Sequence, residues 1–327
     1  MPTVHNTFSK RVLDLHCGQE VDRITGELRR IVRHEMHHHG AVVAVSGGVD
    51  SSVVAALCVE AFGKDRVRLL LMPERDSSPE TLEHSRLISD RLEAATEFRD
   101  ITDILEILGC YEGQDQAIRS VVPDYDPGWK FKIVLPSILD GLTYRLFSVV
   151  AQSPDGVEVK ARLTPAAYLA LVAATNFKQR TRKVLEYYYS DKLNYAVVGT
   201  PNRLEYDQGF FVKLGDGAAD VKPIAHLYKT QVYQLARYLD IPDAIVSRPP
   251  TTDTYSLAQT QEEFYFSVPY DIMDLCLYGL NHDVTAPAVA EATDLTAEQV
   301  ESVYADIRQK RKATRRLHMQ PVLLGDI

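Results

Sequence analysis

The chain is short of cysteine, of excess positive charge and of long apolar runs, and each shortage removes a class of function. Cysteine occurs only at positions 17, 58, 110 and 276, and no two form a CxxC pair. Four thiols so widely scattered supply neither a disulfide framework nor a zinc ribbon, and they suit a reducing compartment. Acidic residues (45) outnumber basic ones (36), for a net charge of −9. That balance argues against a general nucleic-acid or anionic-membrane surface. No segment approaches the roughly 18 apolar residues of a membrane span, and the opening MPTVHNTFSKRV has no apolar leader core. A cytoplasmic protein that does not engage a membrane is expected. Repeats, low-complexity tracts and obvious linkers are also missing, so residues 1–327 are read as one domain.

Against these absences, residues 41–52 stand out as AVVAVSGGVDSS, followed by the apolar run VVAALCVEAFG. A buried strand that ends in small residues and passes straight into a helix makes an anion cradle. Gly47 and Gly48 let the backbone approach a phosphate closely, and the helix N-terminus offers free N–H groups and a positive dipole end. Ser51 and Ser52 add hydroxyls, and Asp50 places a carboxylate where Mg²⁺ can be held against phosphate oxygens. The spacing is neither GxxxxGK[ST] nor GxGxxG, so neither a Walker A loop nor a dinucleotide fingerprint is indicated.

Strand and helix patterns alternate around this motif. Helical spacing covers 19–39, with Gly40 as C-cap; strand 41–46 leads to helix 52–62, strand 67–73 to helix 78–92, and a third strand covers 95–101. Further on, helix 176–190 leads to strand 195–200, and helix 229–239 follows Pro223. Continuous apolar strands between amphipathic helices imply an α/β fold with a parallel sheet covered on both faces. Ligands in such sheets bind at the C-terminal strand ends near a topological switch point, where Ser46 and Thr200 fall. Residues 128–168 break the rhythm: three short strand patterns, with Ser153-Pro154-Asp155-Gly156 as a hairpin turn, read as a β insertion.

Two other patterns carry a rival chemistry. His34-Glu35-Met36-His37-His38 matches HExxH, but it closes a helix and no third-ligand pattern follows, so incidental surface histidines are the better reading. The C-terminal stretch reads as two short helices, Thr296 and Gln299 forming a capping box, with Arg308, Lys310, Arg311, Lys312, Arg315 and Arg316 beyond. A DNA-reading helix-turn-helix and an αα-hairpin packed on the domain both fit, and the acidic total favours the hairpin.

Residues 176–253 are denser in chemistry. Asn176 and Arg180 share a helix face with Lys183 nearby, which suits either an anionic substrate or a solvated basic stripe. The glycine-rich run 199–231 carries Thr200, Glu205, Lys213, Asp216, Asp220 and Lys229, fitting a metal–phosphate site or an ordinary polar loop.

Together SGGVDSS, NFKQRTR, GTPNRLEYDQGFFVKLGDGAAD, PIAHLYKTQVYQLARYL and RPPTTD resemble the ammonia-dependent NAD synthetases, within the PP-loop ATP pyrophosphatases. The resemblance covers most of the chain outside 103–170, and it implies a Rossmann-like doubly wound sheet of the adenine nucleotide alpha hydrolase type with a helical segment at 270–318. It also implies a two-step amidation, in which ATP adenylates deamido-NAD and ammonia then displaces AMP to give NAD. In that correspondence Ser46, Gly47, Gly48, Ser51 and Thr200 hold ATP, while Asp50 and Glu205 are Mg²⁺ ligands. Lys229 and Thr251 lie around the phosphates and the closing loop. Asn176, Arg180, Lys213 and Asp216 bind the dinucleotide, with Asp220 grouped beside them, and Asp253 sits on the mobile loop over the reaction centre. A homodimer with the dinucleotide at its interface is implied, supplied by free ammonia or a separate glutaminase.

Three departures from the family pattern bear on the acceptor: the β insertion, the aromatic stretch TYSLAQTQEEFYFSVPY, and TRRLHMQP, where Arg315, Arg316 or His318 stands in for a usual His-Lys-Arg. They keep open a PP-loop ligase for another carboxylate. A non-catalytic nucleotide-binding regulator is the remaining alternative, and the paired acids Asp50 and Glu205 count against it.

Overall fold

The computed structural model describes residues 8–136, 146–251 and 255–325. Helix α1 (Cys17–Arg29), continued by a π-helical stretch Arg30–Glu35, precedes strand β1 (Ala41–Ala44). Then come α2 (Val49–Phe62), β2 (Val67–Leu71), α3 (Pro79–Leu92), β3 (Ala95–Phe98), α4 (Thr102–Ile107) and α5 (Cys110–Arg119). Strands β4 (Lys130–Val134), β5 (Ser148–Gln152) and β6 (Glu158–Arg162) form the insertion. The chain resumes with α6 (Pro165–Leu193), β7 (Ala196–Val197), α7 (Arg203–Gln208), α8 (Lys229–Tyr238) and α9 (Asp243–Val246). It closes with α10 (Tyr270–Asn281), α11 (Ala286–Ala290) and α12 (Ala297–His318).

The main sheet has order β3-β2-β1-β7, all parallel. Period-two alternation divides its side chains cleanly. Val43, Leu69 and Leu71 pack with α1, α2 and α8, while Val42 and Leu70 pack with α4, α5 and α6. From β1 the chain winds outward one way to β2 and β3, and β7 later adds on the other side. The switch point therefore lies between the C-terminal ends of β1 and β7, as the positions of Ser46 and Thr200 imply.

Several boundaries move. Helix α2 starts at Val49, so Asp50, Ser51 and Ser52 sit in its first turn and not before it. The helix expected from 176 is far longer: Thr164 caps it by accepting from the Ala167 N–H (3.1 Å), and Pro165 opens it, ending the insertion before 168. Helices α4 and α5 fall in a stretch given no element from sequence: both are short, and polar Gln114 and Asp115 share the buried face of α5 with its apolar residues. The hairpin turn at 153–156 is present, with the Gly156 N–H donating to the Ser153 carbonyl (2.9 Å).

The insertion is a three-stranded antiparallel sheet of order β4-β5-β6. It packs Phe131, Ile133, Val149 and Ala151 against residues of α5 and the start of α6. The C-terminal helices form a further core with Leu204 and Tyr228, and α11 spans only Ala286–Ala290. That is an αα-hairpin packed on the body, too short in its first member for a helix-turn-helix, and its second helix is long, not short. The Thr296–Gln299 capping box is formed.

Candidate active site

The loop between β1 and α2 turns at Gly47, whose φ of +70° favours glycine. A Cβ there would lie 2.6 Å from the Thr81 carbonyl oxygen and 2.8 Å from His84 Cβ. The loop is braced from within: Ser51 Oγ donates to the Gly48 carbonyl (3.0 Å) and accepts from the Ser46 N–H (3.3 Å). Ser52 Oγ also donates to the Gly48 carbonyl (2.8 Å), and the residue is fully buried. Ser52 thus holds the turn and faces away from the cavity.

Beyond the loop opens a cavity of about 410 Å³ at the switch point, within the range of small-ligand sites. Ser46, Gly48, Asp50, Ser51, Asn176, Thr200, Glu205, Asp216, Lys229 and Thr251 line it, so the structure brings most of the expected residues together. Three expected residues besides Gly47 and Ser52, namely Arg180, Lys213 and Asp220, are placed elsewhere. Arg180 is exposed on α6 and donates to the Lys213 carbonyl (3.3 Å), while Lys213 Nζ donates to the Arg316 and Met319 carbonyls (3.2 and 2.8 Å). Asp220 accepts from the Val197 N–H (2.7 Å) and the Tyr187 hydroxyl (3.3 Å), finishing the β7 edge. Asp253 lies outside the described residues.

The charged centre is built by two helix starts. Asn202 caps α7 and forms a capping box with Glu205, accepting from the Glu205 N–H (3.2 Å) while its own N–H donates to Glu205 Oε2 (3.1 Å). The Asn202 side-chain amide also donates to Asp50 Oδ1 (3.0 Å), so this one residue, through its backbone N–H and its side chain, ties the two carboxylates. At the start of α8, the buried Asp274 accepts from the Lys229 and Thr230 N–H groups (3.2 and 2.7 Å). Burial pushes the Asp274 carboxyl up to about 7, against the pull of those bonds. This anchorage delivers Lys229 Nζ into an ion pair with Asp50. Burial disfavours the Lys229 charge, but Asp50 and Glu205 outweigh it and hold its pKa above the usual lysine range. Among the described residues Glu205 makes no such direct ion pair. Burial first, and the Asp50 charge second, push its carboxyl up to about 8.

Sequence reasoning missed several groups. Asn202 was legible as the first residue of an N-x-x-E cap. Gln261 donates to Glu205 Oε1 (3.0 Å), and Arg248 donates to Thr81 Oγ1 (3.2 Å) at the cavity wall. Lys183, which the sequence placed near Asn176 and Arg180, lines the cavity in a buried pair with Glu186 (2.6 Å). The aromatic residues Phe147, Tyr168, Tyr255, Phe264 and Tyr265 also line the cavity. The Phe147 and Tyr168 rings stack at 4.5 Å. The insertion and the aromatic stretch therefore meet on one wall of the site. His318 packs edge-on to Tyr206 and Phe211.

The HExxH histidines make no such centre. The helix ends by Met36, His37 has φ +58°, and His38 Nδ1 bonds to Asn194 Oδ1 (2.7 Å), so His34 and His38 do not share a helical face. All four cysteines are free, and among the described residues no helix is long and apolar enough to cross a membrane.

Comparison with known proteins places this geometry. Residues 20–121 and 152–317 match the family model described as NAD synthase. The NH(3)-dependent NAD(+) synthetase of Rhizobium meliloti (strain 1021) is 56% identical over 320 residues, covering 98% of this chain and 96% of that protein. Its counterpart from Rhizobium rhizogenes (strain K84) is 53% identical over 325 residues, covering 99% and 98%. Among solved structures, NMN synthetase from Francisella tularensis superposes with a TM-score of 0.67 over 96% of this chain and 100% of its own, at 21% identity, a likeness of fold. The cavity at the switch point, the phosphate-type loop and the near full-length match agree: the chain belongs to the NAD synthase family.

Proposed function

We propose that this protein is an ammonia-dependent NAD synthetase. It joins ATP to the carboxylate of deamido-NAD with loss of pyrophosphate, and ammonia then displaces AMP to give NAD. The observation that carries the reading is the meeting of Asp50, Glu205 and Lys229 with the bare N-terminus of α2 in one cavity.

The chemistry follows from what each group offers. A carboxylate resists attack because oxide is a poor leaving group, and adenylation supplies a better one. Gly48, Ser46 and Ser51 with the first N–H groups of α2 receive the ATP phosphates, and Thr200 and Thr251 flank them. Lys229, kept charged by its neighbours, stabilises the negative charge that builds on the departing pyrophosphate. The Asp50–Glu205 pair fits Mg²⁺: both are hard oxygen donors fixed by Asn202, and the half-buried Glu205 has its ionised form disfavoured by burial and by the Asp50 charge. Bound there with phosphate oxygens, the ion would neutralise the triphosphate. Asn176, Lys183 and Asp216 face the acceptor from α6 and the loop after α7.

The placement of Arg180 supports a homodimer in this reading. Arg180 lies on the outer face of α6 with the exposed apolar residues Leu169, Val184 and Tyr188, a face suited to cover by a second copy that completes the acceptor site. We also read residues 1–327 as one NAD synthetase domain, and its four free thiols as those of a cytoplasmic protein.

The test is a mass-spectrometric assay with ATP, Mg²⁺, ammonium and deamido-NAD. Equal amounts of NAD, AMP and pyrophosphate are expected, and Asp50→Asn should cut the rate by about two orders of magnitude or more. ATP cleavage without NAD would move the acceptor to another carboxylate. Intact ATP under every condition would defeat the enzyme reading.

A further inference from the structure

Among the described residues the insertion touches a segment that also reaches the Glu205 carboxylate of the site. Strand β4 is an edge strand, and its free side is not open to solvent. Phe131 and Ile133, two residues apart, turn their backbone groups to the same edge. The Phe131 N–H donates to Ser256 Oγ (2.9 Å), and its carbonyl accepts from the Leu257 N–H (2.9 Å). The buried Gln259 amide donates to the Ile133 carbonyl, and Lys132 pairs with Glu263 (2.7 Å). Four contacts in eight residues fasten segment 256–263 along the strand.

That segment is part of the site. Its Gln261 amide donates to Glu205 Oε1 (3.0 Å), and Gln261 and Phe264 both line the cavity. From the other side Phe147, held by its carbonyl accepting the Leu163 N–H (3.0 Å), approaches Phe264 with ring centres 6.5 Å apart. The family model matches 20–121 and 152–317, leaving β4 and most of β5 outside it. The strand that clamps this segment thus lies outside the residues that the family model matches.

We propose that the three-stranded sheet is a positioning element for amidation: β4 fastens segment 256–263 so that Gln261 stays on Glu205, while Phe264 and Phe147 wall the acceptor end against water. The proposal rests on the NAD synthetase reading. In the productive step the ammonia nitrogen forms a C–N bond to the acyl carbon. The C–O bond to AMP breaks, its electron pair stays on the phosphate oxygen, and a proton passes to solvent. Water attacking the same carbon regenerates deamido-NAD with AMP, so ATP is spent without product. A fixed wall favours the first outcome.

The experiment uses the full chain with Lys132→Met, Ser256→Ala and Gln259→Met combined, none of which lines the cavity. AMP and NAD are quantified together while ammonium is varied. The unmodified protein should give one AMP per NAD. The triple variant should make NAD about 10-fold more slowly, release more than one AMP per NAD at low ammonium, and return towards one as ammonium rises. Gln261→Leu should shift the ratio the same way. A loss of folded protein alone would lower both products equally and leave the ratio at one. A ratio of one at all ammonium concentrations, with kcat/KM for deamido-NAD unchanged, would overturn the proposal. If the triple variant does not fold, hydrogen exchange on the unmodified protein decides: the Leu257 amide should be protected, and exchange at the open-chain rate would refute the clamp. Absence of NAD from the unmodified protein would instead defeat the functional reading itself.

Discussion

Glu205 offers a sharp test of the electrostatics, because its carboxyl is pushed up to about 8 from an ordinary 4.5 by burial and by Asp50. In the folded protein without nucleotide it therefore keeps a proton that the unfolded chain gives up. The stabilisation is fully present below the unfolded value near 4.5 and is lost as pH rises through about 8. Within that window stability should fall by about 1.4 kcal/mol per pH unit from this group, to a total on the order of 5 kcal/mol. Glu205→Gln removes the titration while keeping the shape of the neutral form. Its carbonyl still accepts from the Asn202 N–H, and the Gln261 amide turns to accept in place of donating. Urea unfolding of both proteins at pH 5.5, 7 and 8.5, without nucleotide or metal, reads the difference. The variant should exceed the parent modestly at pH 5.5 and increasingly above, and be nearly inactive throughout. Parallel stability profiles would show that Glu205 is not held neutral and that the site is less enclosed than its burial implies.

Other substitutions probe the frame. Gly47→Ala should cost about 1–3 kcal/mol, because the new Cβ meets the Thr81 carbonyl at 2.6 Å at a positive φ, and KM for ATP should rise with it. Lys178 is buried between Glu74 (3.1 Å) and Asp76 (2.6 Å), at the loop that follows β2. Lys178→Met should destabilise by about 3–5 kcal/mol on thermal or urea unfolding, since two carboxylates lose a buried cation. Lys64→Met, which breaks the exposed pair with Glu93, should leave the melting curve in place. Val184→Asp on the outer face of α6 should shift a dimer towards monomer in sedimentation and raise KM for deamido-NAD, and an unchanged dimer would remove that face from the interface.

What the sequence by itself determined was local and periodic. The apolar strands, the helices that follow them, and SGGVDSS at their junction are set by neighbouring residues, so the doubly wound sheet and its phosphate-type loop were legible before any coordinates. The resemblance to a known family likewise singled out Asp50, Glu205 and Lys229. Tertiary structure decided which side chains have their polar atoms free to face a ligand. Ser52 and Asp220 carry the right chemistry, but the fold commits them to the loop and the sheet edge. Asn202 became a bridge between carboxylates only because α7 starts beside α2. Gln261 and Phe147 are more than 100 residues apart and read as unremarkable polar and apolar positions. They came to share a wall through strand pairing and loop clamping, long-range contacts that no local pattern encodes. The raised carboxyl of Glu205 has the same origin, since burial and a neighbouring charge are properties of the assembled cavity and not of the residue.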